Sequence, residues 1–497
     1  MVKLQILLAV GIALLKSSFT SGETYTFPEG FKIGAASASY QIEGGWNEDG
    51  KSPSIWDTIT QNQVAPCYIE DCSSGNVAAD SYHMYEKDLQ ALEDVGFEVY
   101  RFSISWSRII PDGAEVNMKG IEYYHKIIDG LIERGIKPLV TIYHWDLPQY
   151  IQDLGGWTNP LIVDYFAVYA DVLFEHYGDK VKDWITFNEP SVFCGEGYGS
   201  DTKAPAIPTP GIGDYLCAHH VLLSNAAAYK LYRNKYYNDQ QGRVGICLNA
   251  GFSYPFDETV DPSIPEKAIQ FDLGKFANPI FSKDGGYPDV MVQQIGSKSM
   301  NEGRRWSRLP EMTQETKDYI RGTADFLALN YYSSGLAKQR EGEPDGISWW
   351  ADTDLDGGQD PSWKRAKSTW LFRVPQGLQD LLVWIKDRYD NPEVMITENG
   401  WSDDGQLDDD DRVEYLQAHL AAVIRAVRDD QCHVTAYTVW SLTDNFEWKM
   451  GYTERFGIHY IDFDSADKER VPKKSAQFFK DMIPTKTFEY EVSDRWG

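Results

Sequence analysis

The sequence predicts an α/β protein folded as a single closed (β/α)8 TIM barrel with long βα loops. Three observations carry that prediction: eight short, apolar, β-rich runs; amphipathic segments at helical spacing between them; and no Pro/Gly-rich linker after the first 21 residues. Strands that alternate with helices pair in parallel. Strands that read as nearly continuous apolar runs belong to a sheet covered on both faces. Eight such units point to a closed barrel, which can run past about 400 residues when its loops carry insertions.

In chain order the strands are expected at 31–37, 99–105, 137–143, 183–189, 243–249, 326–333, 392–399 and 434–441. Helical spacing of apolar residues marks 79–95, 118–134, 161–177, 215–236, 378–389, 410–428 and 474–482. Gly96 and Gly135 follow two of these segments and suit a left-handed cap. The extra length lies between strands, at 38–98, 190–242, 250–325 and 334–391. Loops after strand C-termini build the active site of a barrel, so insertions there predict a walled pocket.

Composition narrows the function. Lys+Arg total 47 and Asp+Glu 75, a formal charge of −28. That excludes a nucleic-acid partner, which needs basic patches to neutralise phosphates, and docking on anionic lipid. Hydrophobic residues at 42% and charged residues at 25% are globular values. With 16 Trp and 30 Tyr there are more rings than a core needs, and exposed rings serve as stacking surfaces.

The N-terminus reads as an address. Lys3 precedes an apolar run from Leu4 to Leu15, too short to span a bilayer, then Lys16 and small polar residues. A secretory signal over 1–21, cut near 18–22, is expected, leaving 22–497 as one barrel domain. Residues 1–21 hold two Lys and no acid, so the mature chain carries 45 − 75 = −30. The C-terminus has no apolar tail and no retention tetrapeptide, and no Asn-x-Ser/Thr sequon occurs. A soluble, secreted protein without a membrane anchor follows as the expectation.

Cys67 and Cys72 lie five apart and can bridge; Cys194, Cys217, Cys247 and Cys432 lack metal-ligand spacing and are expected, for the most part, as buried thiols. Nine His give no HExxH, and no phosphate-binding glycine loop appears. No metal and no cofactor is expected.

The chemistry falls at strand ends. The fourth strand ends Asn188-Glu189-Pro190 and the seventh Thr397-Glu398-Asn399-Gly400. Taken alone, Glu-Pro opens a helix and Asn-Gly makes a turn. Together they place two carboxylates at matching ends of one barrel, where paired carboxyls about 5 Å apart perform retaining glycoside hydrolysis. Other ends supply Gln41 and Glu43, Arg101, the run Tyr143-His144-Trp145-Asp146, Asn330-Tyr331-Tyr332, and Trp440 followed by Asp444 to Trp448. Amides and carboxylates suit sugar hydroxyls, and indoles suit the apolar face of a pyranose.

These motifs, with 143–148 and 440–448 in the same order, resemble the glycoside hydrolase family 1 β-glucosidases, above all secreted digestive members from insects. The resemblance runs from Phe31 to about Pro484. It implies a retaining mechanism without cofactor, with Glu398 as nucleophile and Glu189 as acid/base. Asn188 then binds the 2-hydroxyl, and Gln41, His144, Glu447 and Trp448 grip the remaining hydroxyls. Trp440 lies beneath the sugar, and Arg101 and Tyr332 hold the nucleophile, with Asn330 beside them. Trp370 matches a leaving-group platform. Arg101 and Tyr332 are expected to lower the pKa of Glu398, while a neighbouring charge and a dry pocket raise that of Glu189. Activity is then bell-shaped in pH, on the acidic side of neutral.

The resemblance implies hydrolysis of terminal β-glucosyl residues from cellobiose, short cello-oligosaccharides or aryl β-glucosides, in an extracellular digestive lumen. Side activity on β-galactosides and β-fucosides follows if Gln41 and Glu447 accept either 4-hydroxyl epimer. The leaving group stays open between these, thioglucosides and hormone glucosides, since the wall at 191–209 and the Trp349, Trp350, Trp363 and Trp370 segment decides it. A sugar-binding relative without catalysis and a 6-phosphoglycosidase are disfavoured by the two glutamates and by Trp448. Oligomeric state is left open.

Overall fold

The computed structural model describes residues 22–492 apart from 62, 114, 343 and 345; the leader expected at 1–21 lies outside the described residues. Eight strands pair in parallel in sequence order: β1 (Lys32–Ala36), β2 (Val99–Ser103), β3 (Lys137–Tyr143), β4 (Asp183–Asn188), β5 (Arg243–Asn249), β6 (Leu327–Asn330), β7 (Val394–Glu398) and β8 (Val434–Trp440), with β8 returning to β1. The closed barrel is the one the apolar runs predict. Val99, Leu139, Ile185, Cys247, Phe326, Ala328, Met395 and Ala436 form a hydrophobic cluster of their own, apart from the large core. They come from successive strands, as the packed interior of a barrel requires. At Gly34 any Cβ would run into the backbone of Val99, so β1 and β2 can approach only with glycine there.

The covering helices are α1 (Ser81–Val95), α2 (Met118–Glu133), α3 (Ile162–Tyr177), α4 (Gly213–Leu231), α5 (Pro375–Tyr389), α6 (Asp410–Arg428) and α7 (Lys474–Met482). Gly96 caps α1 at φ 84°, accepting no side-chain clash because it has none. Most boundaries differ from the sequence reading by one or two residues, and three elements differ more. The segment expected at 215–236 starts at Gly213 and turns π-helical over Tyr232–Tyr236. α5 begins three residues early, with Pro375 in its first turn, where a missing N–H costs nothing. β6 ends at Asn330 rather than at 333, and the Tyr331 N–H makes a last bond to the Glu398 carbonyl of β7 at 3.0 Å.

The insertions are folded. Residues 250–325 carry helices Ser263–Ile269, Lys275–Phe281, Asp289–Asn301 and Gln314–Ile320. A small outer sheet places Gly335–Gln339 between Ser253–Pro255 and Leu355–Gly358. Cys67 and Cys72 are bridged as expected. Cys194 and Cys217 are bridged as well, which corrects the reading of buried thiols; Cys247 and Cys432 are free and buried. The second bridge ties the short helix Pro190–Gly197 to α4. Among the described residues no helix is long and apolar enough to cross a membrane.

Candidate active site

The strand C-termini surround a cavity of about 530 Å3, within the size range of small-molecule sites. Glu189 and Glu398 both line it, with His144, Asn188, Asn330, Tyr332, Trp370, Trp440, Glu447 and Trp448. Gln41 and Arg101 are not at the cavity surface. Both are buried behind it and hold groups that are.

Local backbone explains how the two acids are presented. Glu189 sits at φ 48°, ψ 63°, a left-handed conformation that ends β4 and opens the helix Pro190–Gly197. Its N–H bonds the Cys247 carbonyl at 3.0 Å. The Trp145 indole N–H donates to the Asn188 carbonyl at 2.9 Å, fixing the peptide that carries Glu189. A non-glycine residue at positive φ is costly and persists only where neighbours over-determine it; Trp145 and Trp448, also in the lining, share this feature. Glu398 ends β7. The next residue, Asn399, is no simple turn: its amide donates to the Tyr331 carbonyl at 2.7 Å and accepts from the Tyr437 hydroxyl at 2.7 Å. A Cβ on Gly400 would collide with the Trp440 carbonyl.

The two carboxyls have different company. Glu398 Oε1 accepts from Arg101 Nη1 at 2.6 Å and Oε2 from the Tyr332 hydroxyl at 2.8 Å. Glu189 Oε1 accepts from Asn330 Nδ2 at 2.6 Å. Asn330 Nδ2 also reaches Asn188 Oδ1 at 3.0 Å, which takes Arg101 Nη2 at 2.6 Å. Two amides, Asn330 and Asn188, and one guanidinium therefore tie the acids together.

Burial pushes Glu189 up to about 8; the Glu398 charge adds to this, and Asn330, Arg101 and Lys203 oppose it. Glu398 is also raised, again by burial first, with Arg101 and Tyr332 pulling downward. The expectation that Arg101 and Tyr332 would carry Glu398 below its ordinary value is thus corrected. Their pull is present, and desolvation of a carboxyl only 4% exposed exceeds it. Of the two, Glu189 is the better proton holder. Burial, with Arg101 second, drives His144 well below its usual value, so its ring is neutral. Burial also lifts Glu447 to about 8.

Polar groups in and behind the wall hold one another. Gln41 Nε2 bonds Asn445 Oδ1 and the Phe446 carbonyl at 3.0 Å each, and Glu447 Oε2 at 3.3 Å, while its buried Oε1 has no partner. His144 Nε2 meets Asn188 Nδ2 at 3.0 Å, and buried Nδ1 has none. Apolar walls come from Trp440 and Trp448, whose rings lie 5.8 and 6.0 Å from the His144 ring. Trp370 is 51% exposed and meets Tyr332 edge-on at 5.6 Å.

Sequence reasoning missed Glu196, Lys203, Lys449, Met450 and Glu454, all in the lining. Only the segments holding some of them were flagged; no spacing signal singles out a loop side chain. Conversely Glu43, noted after the first strand, is structural. It pairs with Arg108 and accepts the Tyr124 hydroxyl at 2.6 Å.

The profile of glycosyl hydrolase family 1 matches residues 23–488. The chain belongs to this family. Myrosinase 1 of the aphid Brevicoryne brassicae is 44% identical over 93% of this chain and 99% of its own. The solved aphid myrosinase superposes with TM-score 0.89 at 44% identity, covering 93% of this chain and all of that one. A rice β-glucosidase mutant solved in a covalent complex with Glc is 38% identical with TM-score 0.86, over 92% of this chain and 99% of that one. The (β/α)8 barrel and the glycoside hydrolase class read from the sequence both hold.

Proposed function

We propose that this family 1 glycosidase is a retaining β-glucosidase acting on terminal non-reducing β-D-glucosyl residues of cellobiose, short cello-oligosaccharides or aryl β-glucosides. The observation that carries the reading is the unequal pair of buried carboxyls in one cavity. Glu398, ion-paired with Arg101 and bonded by Tyr332, is the nucleophile. Glu189, whose proton is retained to higher pH, is the acid and then the base. Glu398 attacks the anomeric carbon while Glu189 gives its proton to the departing glycosidic oxygen. In the second step Glu189 takes a proton from water, which displaces Glu398. The covalent Glc complex of the rice relative supports a glycosyl-enzyme of this kind.

Asn188, Gln41, His144, Glu447 and Trp448 serve the hydroxyls, Trp440 the sugar face, and Trp370 the leaving group. The place of Asn188, His144, Glu447 and Trp448 in the cavity lining supports these roles, and Gln41 acts through its bond to Glu447. Side activity on β-galactosides and β-fucosides belongs to the same reading. Likeness to a myrosinase favours a second one, thioglucoside cleavage on the same grip. Parallel assays with O- and S-linked aryl glucosides separate them. Secretion to an extracellular, digestive lumen is proposed from residues 1–21 and is supported by two disulfides, which persist in oxidising compartments.

The test is covalent trapping with a 2-deoxy-2-fluoro-β-glucosyl fluoride, then peptide mass spectrometry. The reading expects one label per chain, on the peptide holding Glu398. No label, or a label on the Glu189 peptide, contradicts it.

A further inference from the structure

A second cavity, of about 470 Å3, opens beside the first and shares Gly251 with it. It belongs to the insertions rather than to the barrel: the small outer sheet makes one wall, and Ala268, Ile269 and Asp272 another. Its size falls within the usual range of small-molecule sites.

Its lining joins two indoles to acids. Trp349 and Trp350 lie with ring centroids 5.9 Å apart at 40°. Trp349 is fixed, since its N–H donates to the Phe271 carbonyl at 3.3 Å and buried Lys275 sits 5.1 Å from its ring centroid. Trp350 is 45% exposed, uncommon for a large ring on a folded insertion. Gly357 faces it: a Cβ there would lie 3.2 Å from the indole, so glycine lets the ring rest against the Leu355–Gly358 strand. Asp272, Asp356 and Gln359 add polar edges, and no Lys or Arg lines the cavity among the described residues. Burial lifts Asp272 to about 6, with Lys275 opposing, so this acid both donates and accepts near neutral pH. The cations nearest the cavity are engaged by its acids: Arg340, 5.9 Å from the Trp350 ring centroid, pairs with Asp356 at 3.1 Å, and buried Lys275 lies beside Asp272. A neutral polyhydroxylated ring finds a flat apolar face and hydroxyl partners together.

We propose that this cavity is a second saccharide site, which takes a neutral pyranoside on the Trp350 ring next to the mouth of the catalytic cavity. It is separate from the sugar site of the proposed reaction and does not depend on Glu189 or Glu398.

The test is isothermal titration of the full chain with cellotetraose. It compares Glu398→Gln, in which turnover is blocked, with Glu398→Gln/Trp350→Ala. Two binding events are expected in the first protein, with the one at this cavity weakened at least ten-fold in the second. Thermal unfolding checks that Trp350→Ala, a change at a half-exposed ring, leaves the fold intact. Should it not, Gln359→Ala at the rim replaces it, with the same expectation of a selective loss. One event in the first protein that vanishes with Trp350→Ala upholds this site while removing the catalytic cavity as a saccharide site. Identical isotherms in both proteins, or no binding in either, overturn the proposal.

Discussion

Arg101 Nη1 lies 2.6 Å from Glu398 Oε1, and both side chains are almost wholly enclosed. The pair joins β2 to β7 across the barrel mouth, with β8 and β1 between them in the sheet. Arg101 also donates to Asn188 and, through Nη1, to the Thr397 carbonyl at 3.1 Å. With Nε on Thr141 Oγ1 at 3.1 Å as well, the guanidinium serves four acceptors and has no equivalent in lysine.

Arg101→Met should therefore leave a buried, unpaired carboxyl. Breaking such a pair costs about 3–5 kcal/mol of stability. Glu398 loses the strongest influence holding its pKa down, so the acid limb of the activity profile should move to higher pH and kcat should fall by at least about 100-fold. Arg101→Lys should recover charge but not the bonds to Asn188 and Thr397. Thermal melts with pH–rate profiles check both; an unmoved acid limb would count against the pairing.

The pH profile has a definite sign. Glu189 works protonated, and its pKa is raised to about 8, so activity should fall as pH rises through that region. Glu398 works ionised, so activity should fall as pH drops through its own value. The bell should reach neutral pH, above the acidic range that the sequence suggested. Asn330→Ala removes a hydrogen bond that favours ionised Glu189, so the alkaline limb should move upward. A downward shift would show that Asn330 does not act on Glu189.

Glu189→Gln keeps the shape but cannot give or take a proton. General acid–base catalysis contributes about 10²–10⁴-fold, so substrates with poor leaving groups should lose rate on that scale. Activated aryl glucosides should lose less in the first step, and added azide should restore turnover. Equal losses across leaving groups would argue for another acid.

The Cys194–Cys217 bridge closes a loop across 23 residues and holds the helix that starts beside Glu189. Removing it with Cys194→Ala/Cys217→Ala should cost about 3 kcal/mol. The leaving-group wall that includes Val192 and Glu196 should loosen with it, raising KM more than it lowers kcat. A melt unchanged on reduction would contradict this.

How much of this was legible beforehand depended on regularity. Apolar runs are forced on strands buried on both faces, so all eight barrel strands could be read, and Glu189 and Glu398 could be placed at strand ends. Lys203 could not, because its role depends on how an irregular loop returns to the mouth. The Cys194–Cys217 bridge was hidden for the same reason: its halves lie on two helices whose packing no spacing encodes. Gln41 follows the first strand, as the motif implies, but its place behind Glu447, with one oxygen unpaired, follows from packing that no motif encodes. The upward shift of Glu398 arises from the depth of burial, which motif residues do not report.

The central claim, that Glu398 and Glu189 carry out double displacement at a β-glucoside, is tested most directly by a proton NMR time course. Purified protein is mixed with cellobiose, and the first glucose anomer released is read before mutarotation. The account predicts β-glucose first, and no release from Glu398→Gln. Early α-glucose would mean that water, not Glu398, attacks the anomeric carbon, and the nucleophile assignment would fall.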